Sequence, residues 1–254
     1  MSMEQLHSGE LYSPNDPEIM VQQEKCLEKL YDFNATRPSQ GALREEMLKD
    51  MFAEIGEGCY IEPPLHSNWG GRHVHFGKWV YANFGLTLVD DTHIYVGDYT
   101  LIGPNVVIAT AGHPIEPGLR EQAYQYNMPV RIGRNCWLGA GVIVVPGVTI
   151  GDNVVIGAGA KVLGPFTVGS GSKIGASAVV LKEVPENCTV VGNPGRIVRR
   201  KGMTQGVDLD HVHLPDPVKE RIEALERRIY ELEAHLHQQY GTQQLKEEPD
   251  HADL

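Results

Sequence analysis

The sequence predicts a mainly β chain wound as a parallel β-helix of hexapeptide repeats, with N-terminal helices, an excursion loop at about 110–130 and a C-terminal helix. The strongest observation is a recurrence. Between 132 and 182 an aliphatic residue stands at every sixth position: Ile132, Leu138, Val144, Ile150, Ile156, Val162, Val168, Ile174 and Val180. Six is neither the helical period nor the two-residue alternation of a strand. It is the period of a coil in which each hexapeptide gives one short strand and a turn. Three hexapeptides complete a lap, and the aliphatic residue points inward onto its neighbours above and below. Secondly, Gly or another small residue usually follows one or two places later. Thirdly, GAG at 139–141, GAG at 157–159 and GAS at 175–177 recur at intervals of eighteen, one full lap.

The 254 residues suffice for one elongated domain with attachments: an N-terminal helical segment at 1–58, the β-helix at 59–200 and a tail at 201–254. A net charge of −11 argues against general binding to nucleic acid or anionic membranes. No apolar run is long enough for a membrane span. The first ten residues lack the basic and apolar regions of a signal peptide. Cys26, Cys59, Cys136 and Cys188 lie far apart with no CxxC, which reads as reduced thiols of a cytoplasmic protein. Each also reads simply as a small buried apolar residue.

In chain order, residues 1–15 form a polar arm. Asp16, Pro17 and Glu18 supply an N-cap, an N1 proline and a first-turn acid, so a helix starts there. Its apolar face is Met20, Leu27, Leu30 and Tyr31. A second helix spans 43–55, stopped by Gly56 and Gly58. Strands begin at Cys59. Phe76, Ala82, Leu88 and Ile94 keep the six-residue step, and so do Val96, Ile102 and Ile108, with a slip of two between the sets. This is an imperfect start to the same coil, with a local insertion. The pattern stops over 110–129, TAGHPIEPGLREQAYQYNMP, and resumes at Ile132. A loop expelled from a repeat scaffold is a usual place for function. In the tail, a helix over 217–240 carries Ile222, Leu225, Ile229, Leu232 and Leu236 in alternating steps of three and four, a short coiled-coil seam. Residues 241–254 are polar and read as disordered.

His113 lies in the excursion between Gly112 and Pro114. An imidazole exchanges protons near neutral pH, although a lone loop histidine is more often just solvated. YANF at 81–84 and LVDD at 88–91 place polar groups on adjacent laps, and Trp137 offers a stacking wall. Turn-forming and packing roles account for Asn83, Asp91 and Trp137 equally well. Ala140, Ala158 and Ala176 stack on one edge, where an extended ligand can approach the backbone. Tight turns also demand small residues, so both readings stand. Arg196, Arg199, Arg200 and Lys201 form a basic cluster suited to phosphate or to plain solvation. The pairs His73/His75, His211/His213 and His235/His237 hint at metal, but no third ligand accompanies them.

Residues from about 5 to 160 resemble the galactoside/maltose O-acetyltransferases of the hexapeptide acyltransferase superfamily. The carrying motifs are YDFN at 31–34, YANF, LTLVDD, LIGPNV, TAGHP, MPVRIGRNCWLGAGVIVVPGVTIGDN and, later, VVGNPGRIVRR. The resemblance implies a left-handed β-helix, a homotrimer with active sites between subunits, and acetyl transfer from acetyl-CoA to a sugar hydroxyl. It makes His113 the general base, and Asp16, Asn83, Asp91, Trp137 and Tyr81 acceptor-site residues. Ala140 and Ala158 become backbone contacts for the pantetheine arm, with Ala176 next in their column. Arg196 and Arg199 become contacts for the nucleotide phosphates. The implied mechanism is direct transfer, with no metal and no covalent enzyme intermediate.

After about residue 160 the chain departs from that pattern. An additional lap, GPFTVGSGSKIGASAVVL, precedes the GNP segment, and residues from about 154 to 238 resemble the C-terminal part of a serine acetyltransferase. Two alternatives follow: a serine O-acetyltransferase, whose helical N-terminal domain and GGTG-type segment are absent here, and a non-catalytic trimeric scaffold.

Overall fold

The structure is a computed structural model that describes residues 3–200 and 217–244. Strands of mostly two or three residues stack into three parallel faces. The first face runs from Glu54–Ile55 to Thr167–Val168 in six strands. The second runs from Tyr60–Ile61 up to Cys188–Val191 and ends on an antiparallel strand, Arg196–Arg200, eight in all. The third runs from His66–Ser67 to Val179–Val180 in six. Trp137 pairs with Val155 and Val155 with Lys173, so a regular lap is eighteen residues. All nine aliphatic residues of the strict repeat are buried. The small residue after each has a steric cause. A Cβ on Gly139 would stand 2.7 Å from the Ala158 nitrogen, and one on Gly157 2.4 Å from that of Ala176. The next lap's backbone already occupies that space.

Irregular spacing gathers at one corner, where the third face passes into the first. At the other corners, inward positions are six residues apart. At this corner the step is nine from Ser67 to Phe76, eight from Leu88 to Val96, twenty-four from Ile108 to Ile132, and four from Val180 to Val184. Insertions confined to a corner leave the parallel ladders intact. The eight-residue step explains the two-residue slip. Here the first face turns two side chains inward per strand, Ile94 and Val96, as it does with Val74 and Phe76.

The N-terminal helices pack on the start of the coil. Helix α1 (Pro17–Asn34) begins as expected, with Asp16 Oδ1 accepting from the Glu18 N–H at 2.9 Å. Its buried face is Ile19, Leu30 and Phe33, whereas Met20, Leu27 and Tyr31 are exposed. The cause is Asn34, whose side chain donates to the Leu65 carbonyl and accepts from its N–H, both at 2.8 Å. That clamp turns Leu30 and Phe33 inward. Helix α2 (Gly41–Met51) stops short of 55, because Glu54–Ile55 already pairs with the Val74–Phe76 strand. The coil thus starts ahead of Cys59. The polar arm is also packed: Met3–His7 forms a 3-10 turn, and Leu6 and Tyr12 are buried with Ile19 and Trp69.

The excursion is a hairpin more than a loop. Ala111–Gly112 pairs antiparallel with Tyr126–Asn127, and helix α3 (Pro117–Glu121) sits between them. The additional lap is present as Thr167–Val168, Lys173–Ile174 and Val179–Val180. Residues 215–254 make a second compact unit, described by helix α4 (Pro217–Gln244), four residues longer than expected and running into the stretch read as disordered. Lys201, His211 and His213 lie outside the described residues. The four cysteines are free thiols. Among the described residues no helix is long and apolar enough to cross a membrane.

Candidate active site

His113 leaves the first hairpin strand exposed to solvent. Its Nδ1 lies 2.9 Å from the Tyr124 carbonyl oxygen. A carbonyl only accepts, so Nδ1 carries a proton, and in the neutral ring Nε2 is left with the lone pair. That is the tautomer a base needs. The N-terminal arm holds the hairpin in place. Tyr12 and Gln125 exchange backbone hydrogen bonds, each 2.9 Å. The Tyr12 hydroxyl also accepts from the side-chain amides of Gln125 and Asn127, the latter at 2.7 Å. Burial pushes the Tyr12 pKa up, so the group stays a neutral phenol.

Asp91 lies beneath this network and is buried. Its Oδ2 accepts from Asn68 Nδ2 at 2.9 Å and its Oδ1 from Gln125 Nε2 at 3.5 Å. Asp90 has a different task. Fully buried, it accepts from Ser67 Oγ at 2.6 Å and from the N–H groups of Trp69 and Gly71 at 2.8 and 3.1 Å, which pins the nine-residue corner. Burial raises its pKa against these hydrogen bonds. Tyr12, Asn68, Tyr124, Gln125 and Asn127 were absent from the sequence-based site. They lie in segments without periodicity, and nothing in their spacing marks them.

Four histidines crowd the same corner. His7 stacks on His93 and meets His73 edge-on, and His75 Nε2 lies 3.0 Å from His93 Nδ1. His73 Nδ1 donates to the Asp90 carbonyl at 2.7 Å. Burial pushes the His73 pKa down to about 4. His237, on α4, has Nδ1 3.0 Å from the Glu233 carbonyl. Among the described residues, no three His, Cys, Asp or Glu side chains are arranged to hold a metal ion.

The other expected residues occupy a different edge. Tyr81 and Trp137 are both in register with Leu101, pointing outward on the second face. Asn83 occupies the column of Gly103, Gly139 and Gly157, each donating its N–H to the lap above. The adjoining column holds Ala140, Ala158 and Ala176, all exposed at the corner between the second and third faces. The Ala140 and Ala158 carbonyls accept from Gly159 and Ser177 at 2.8 and 2.9 Å. The N–H groups of all three alanines donate to no backbone group among the described residues. Arg196 and Arg199 are exposed on the closing strand, with Arg199 opposite Thr189 and Thr189 opposite Lys173.

The structure therefore brings Tyr81, Asn83, Trp137, the alanine column and the two arginines onto one face and its edge. Asp91 and His113 stand at another edge, with the third face between. Asp16 is four residues beyond Tyr12, at the cap of α1. A face is one hexapeptide wide, on the order of 15–20 Å.

The family model described as "Maltose acetyltransferase hexapeptide capping motif" matches residues 5–56, and "Bacterial transferase hexapeptide (six repeats)" matches 129–164. The chain is 45% identical over 210 residues to a galactoside O-acetyltransferase of Lactococcus lactis, covering 83% of this chain and 93% of that protein. It resembles a solved galactoside acetyltransferase in complex with coenzyme A at 37% identity and a TM-score of 0.66, over 78% of this chain and 90% of the other. For a maltose O-acetyltransferase from Clostridium difficile 630 the identity is 35% and the TM-score 0.67, over 79% and 97%. With the helical cap, the hexapeptide coil and relatives matched over nearly their whole length, the chain belongs to the galactoside/maltose O-acetyltransferase family and is an acetyl-CoA-dependent acyltransferase.

Proposed function

We propose that the protein transfers the acetyl group of acetyl-CoA to a hydroxyl of a sugar, with His113 as the general base. The hydrogen bond from His113 Nδ1 to the Tyr124 carbonyl carries this reading, because it leaves Nε2 as the accepting nitrogen. Nε2 takes the acceptor's hydroxyl proton as the oxygen attacks the thioester carbonyl. The Ala140 N–H stabilises the oxyanion that develops. Collapse of the tetrahedral intermediate breaks the carbon–sulfur bond, and the departing thiolate of CoA takes the proton back from His113. The buried carboxylate of Asp91, held by Asn68 and Gln125, binds acceptor hydroxyls, and Asp16, Tyr81, Asn83 and Trp137 complete the acceptor pocket. No step calls for a metal.

The alanine column takes the cosubstrate. Successive laps are roughly 5 Å apart, so Ala140, Ala158, Ala176 and the arginines two strands further on span about 20 Å, a fit for a pantetheine arm ending in a nucleotide. With the Ala140 N–H at the thioester, those of Ala158 and Ala176 pair with the arm's two amide carbonyls, and Arg196 and Arg199 with its phosphates. Reaction requires contact at about 3 Å, which one chain cannot provide from edges a face apart. The site is accordingly completed between copies, one lending His113 and the other its alanine edge, in a cyclic trimer.

Release of CoA from acetyl-CoA, followed with glucose, maltose, isopropyl thiogalactoside and L-serine as acceptors, tests this reading. Release that depends on a sugar is expected. Release with serine alone would overturn the acceptor assignment, and silence on all four would favour a scaffold.

A further inference from the structure

Helix α4 carries an apolar stripe that stands about half exposed among the described residues. Ile222, Leu225, Ile229, Leu232 and Leu236 are 47–54% exposed, although their alternating steps of three and four set them on one face. The charges beside the stripe are ordered. Arg221 and Arg228 each stand just before an isoleucine of the seam, and Glu226 and Glu233 just after a leucine. In heptad terms the isoleucines hold position a, the leucines at 225 and 232 position d, the arginines position g and the glutamates position e.

We propose that α4 pairs, parallel and in register, with the α4 of a second copy of this chain. In that arrangement each g residue faces the e residue five places on in the other strand. Arg221 meets Glu226 of the second copy, and Arg228 meets its Glu233. An antiparallel pair would instead set arginine against arginine and glutamate against glutamate. Isoleucine at a with leucine at d favours two strands in isolation, but the cyclic trimer proposed above makes its three α4 helices equivalent, and the same g-to-e contacts then run from each helix to the next. Arg228 now bonds Glu231 at 2.9 Å within the helix, but both side chains are about two-thirds exposed, so that pair is weak and exchanges readily. Folding on a core of its own would need no alternation of charge along both flanks.

Disulfide trapping in the full chain tests the pairing, since two heptads are marginal as a free peptide. Leu225→Cys puts a thiol in the seam, and Ala234→Cys puts one on the opposite face. The unsubstituted chain, with its four native cysteines, gives the background. Under mild oxidation Leu225→Cys should link between chains at least about 10-fold faster than Ala234→Cys, because a disulfide needs close Cβ atoms. Adding Arg221→Glu and Arg228→Glu should remove that advantage, and adding Glu226→Arg and Glu233→Arg as well should restore it. Acetyl transfer per chain verifies that each variant retains a folded body. Equal linking rates at the two positions, or an advantage indifferent to the charge reversals, would overturn the proposal.

Discussion

The imidazole of His113 and the carbonyl of Tyr124 are joined across the excursion hairpin at 2.9 Å. Eleven residues separate them, and the antiparallel pairing of Ala111–Gly112 with Tyr126–Asn127 brings them together. A histidine in a plain loop would sample both tautomers. Here the backbone selects one. Replacing His113 with Ala should lower turnover by about 10²–10⁴-fold and leave the dissociation constant for acetyl-CoA almost unchanged. Equilibrium binding beside steady-state kinetics checks this, and a matching loss of CoA affinity would mark His113 as structural.

Tyr12 is the arm's hold on that hairpin. Its hydroxyl accepts from Gln125 and Asn127, and Gln125 in turn reaches Asp91. Tyr12→Phe keeps the ring but strips an acceptor from two buried amides, which costs about 1–3 kcal/mol. Thermal unfolding should report that loss. Because Asp91 loses its support, KM for the acceptor should rise several-fold while KM for acetyl-CoA stays put. Equal rises in both would mean that the arm acts only on general stability.

Acid should weaken the same corner. His73 is held neutral by burial, with its pKa moved from 6.5 to about 4 and with His7, His93 and Arg72 adding to the depression. The folded state therefore binds that proton less readily than the unfolded chain. Stability from this group is complete above pH 6.5, falls as pH drops from 6.5 to about 4, and is level below. The 2.5-unit difference corresponds to about 3 kcal/mol. Denaturant unfolding at pH 7 and pH 4.5 should show the decline, and His73→Gln should flatten it. An unchanged slope in that variant would assign the acid sensitivity elsewhere.

The coil from Ile132 to Val180 was legible because each inward residue is aliphatic and each step is six. The slip at Ile94 and Val96 was visible too, though only the register shows that it is absorbed at a single corner. Other features left no trace. The buried face of α1 is set by Asn34 bonding Leu65, thirty-one residues away. The hairpin strands are two residues long, too short for any period. The histidine of TAGHP was findable, but its carbonyl partner and the arm beneath it were not. Nor does linear sequence reveal that Trp137 and Ala140, close to His113 in the chain, belong to a different edge of the prism.

That separation makes the strongest test of an active site shared between copies. Take one chain with His113→Ala and a second with Ala140→Trp, whose bulk blocks the cosubstrate column. Each should be inactive alone. In a cyclic trimer of both kinds, one contact pairs an intact histidine with an intact alanine edge. Random mixing from equal parts makes about three quarters of the trimers mixed, with one working site in three. Co-refolding the two should therefore recover roughly a quarter of the unsubstituted activity. No recovery, with mixed trimers verified by tagged pull-down, would place His113 and the alanine column in the same chain's site and require a large closure of the hairpin across the third face.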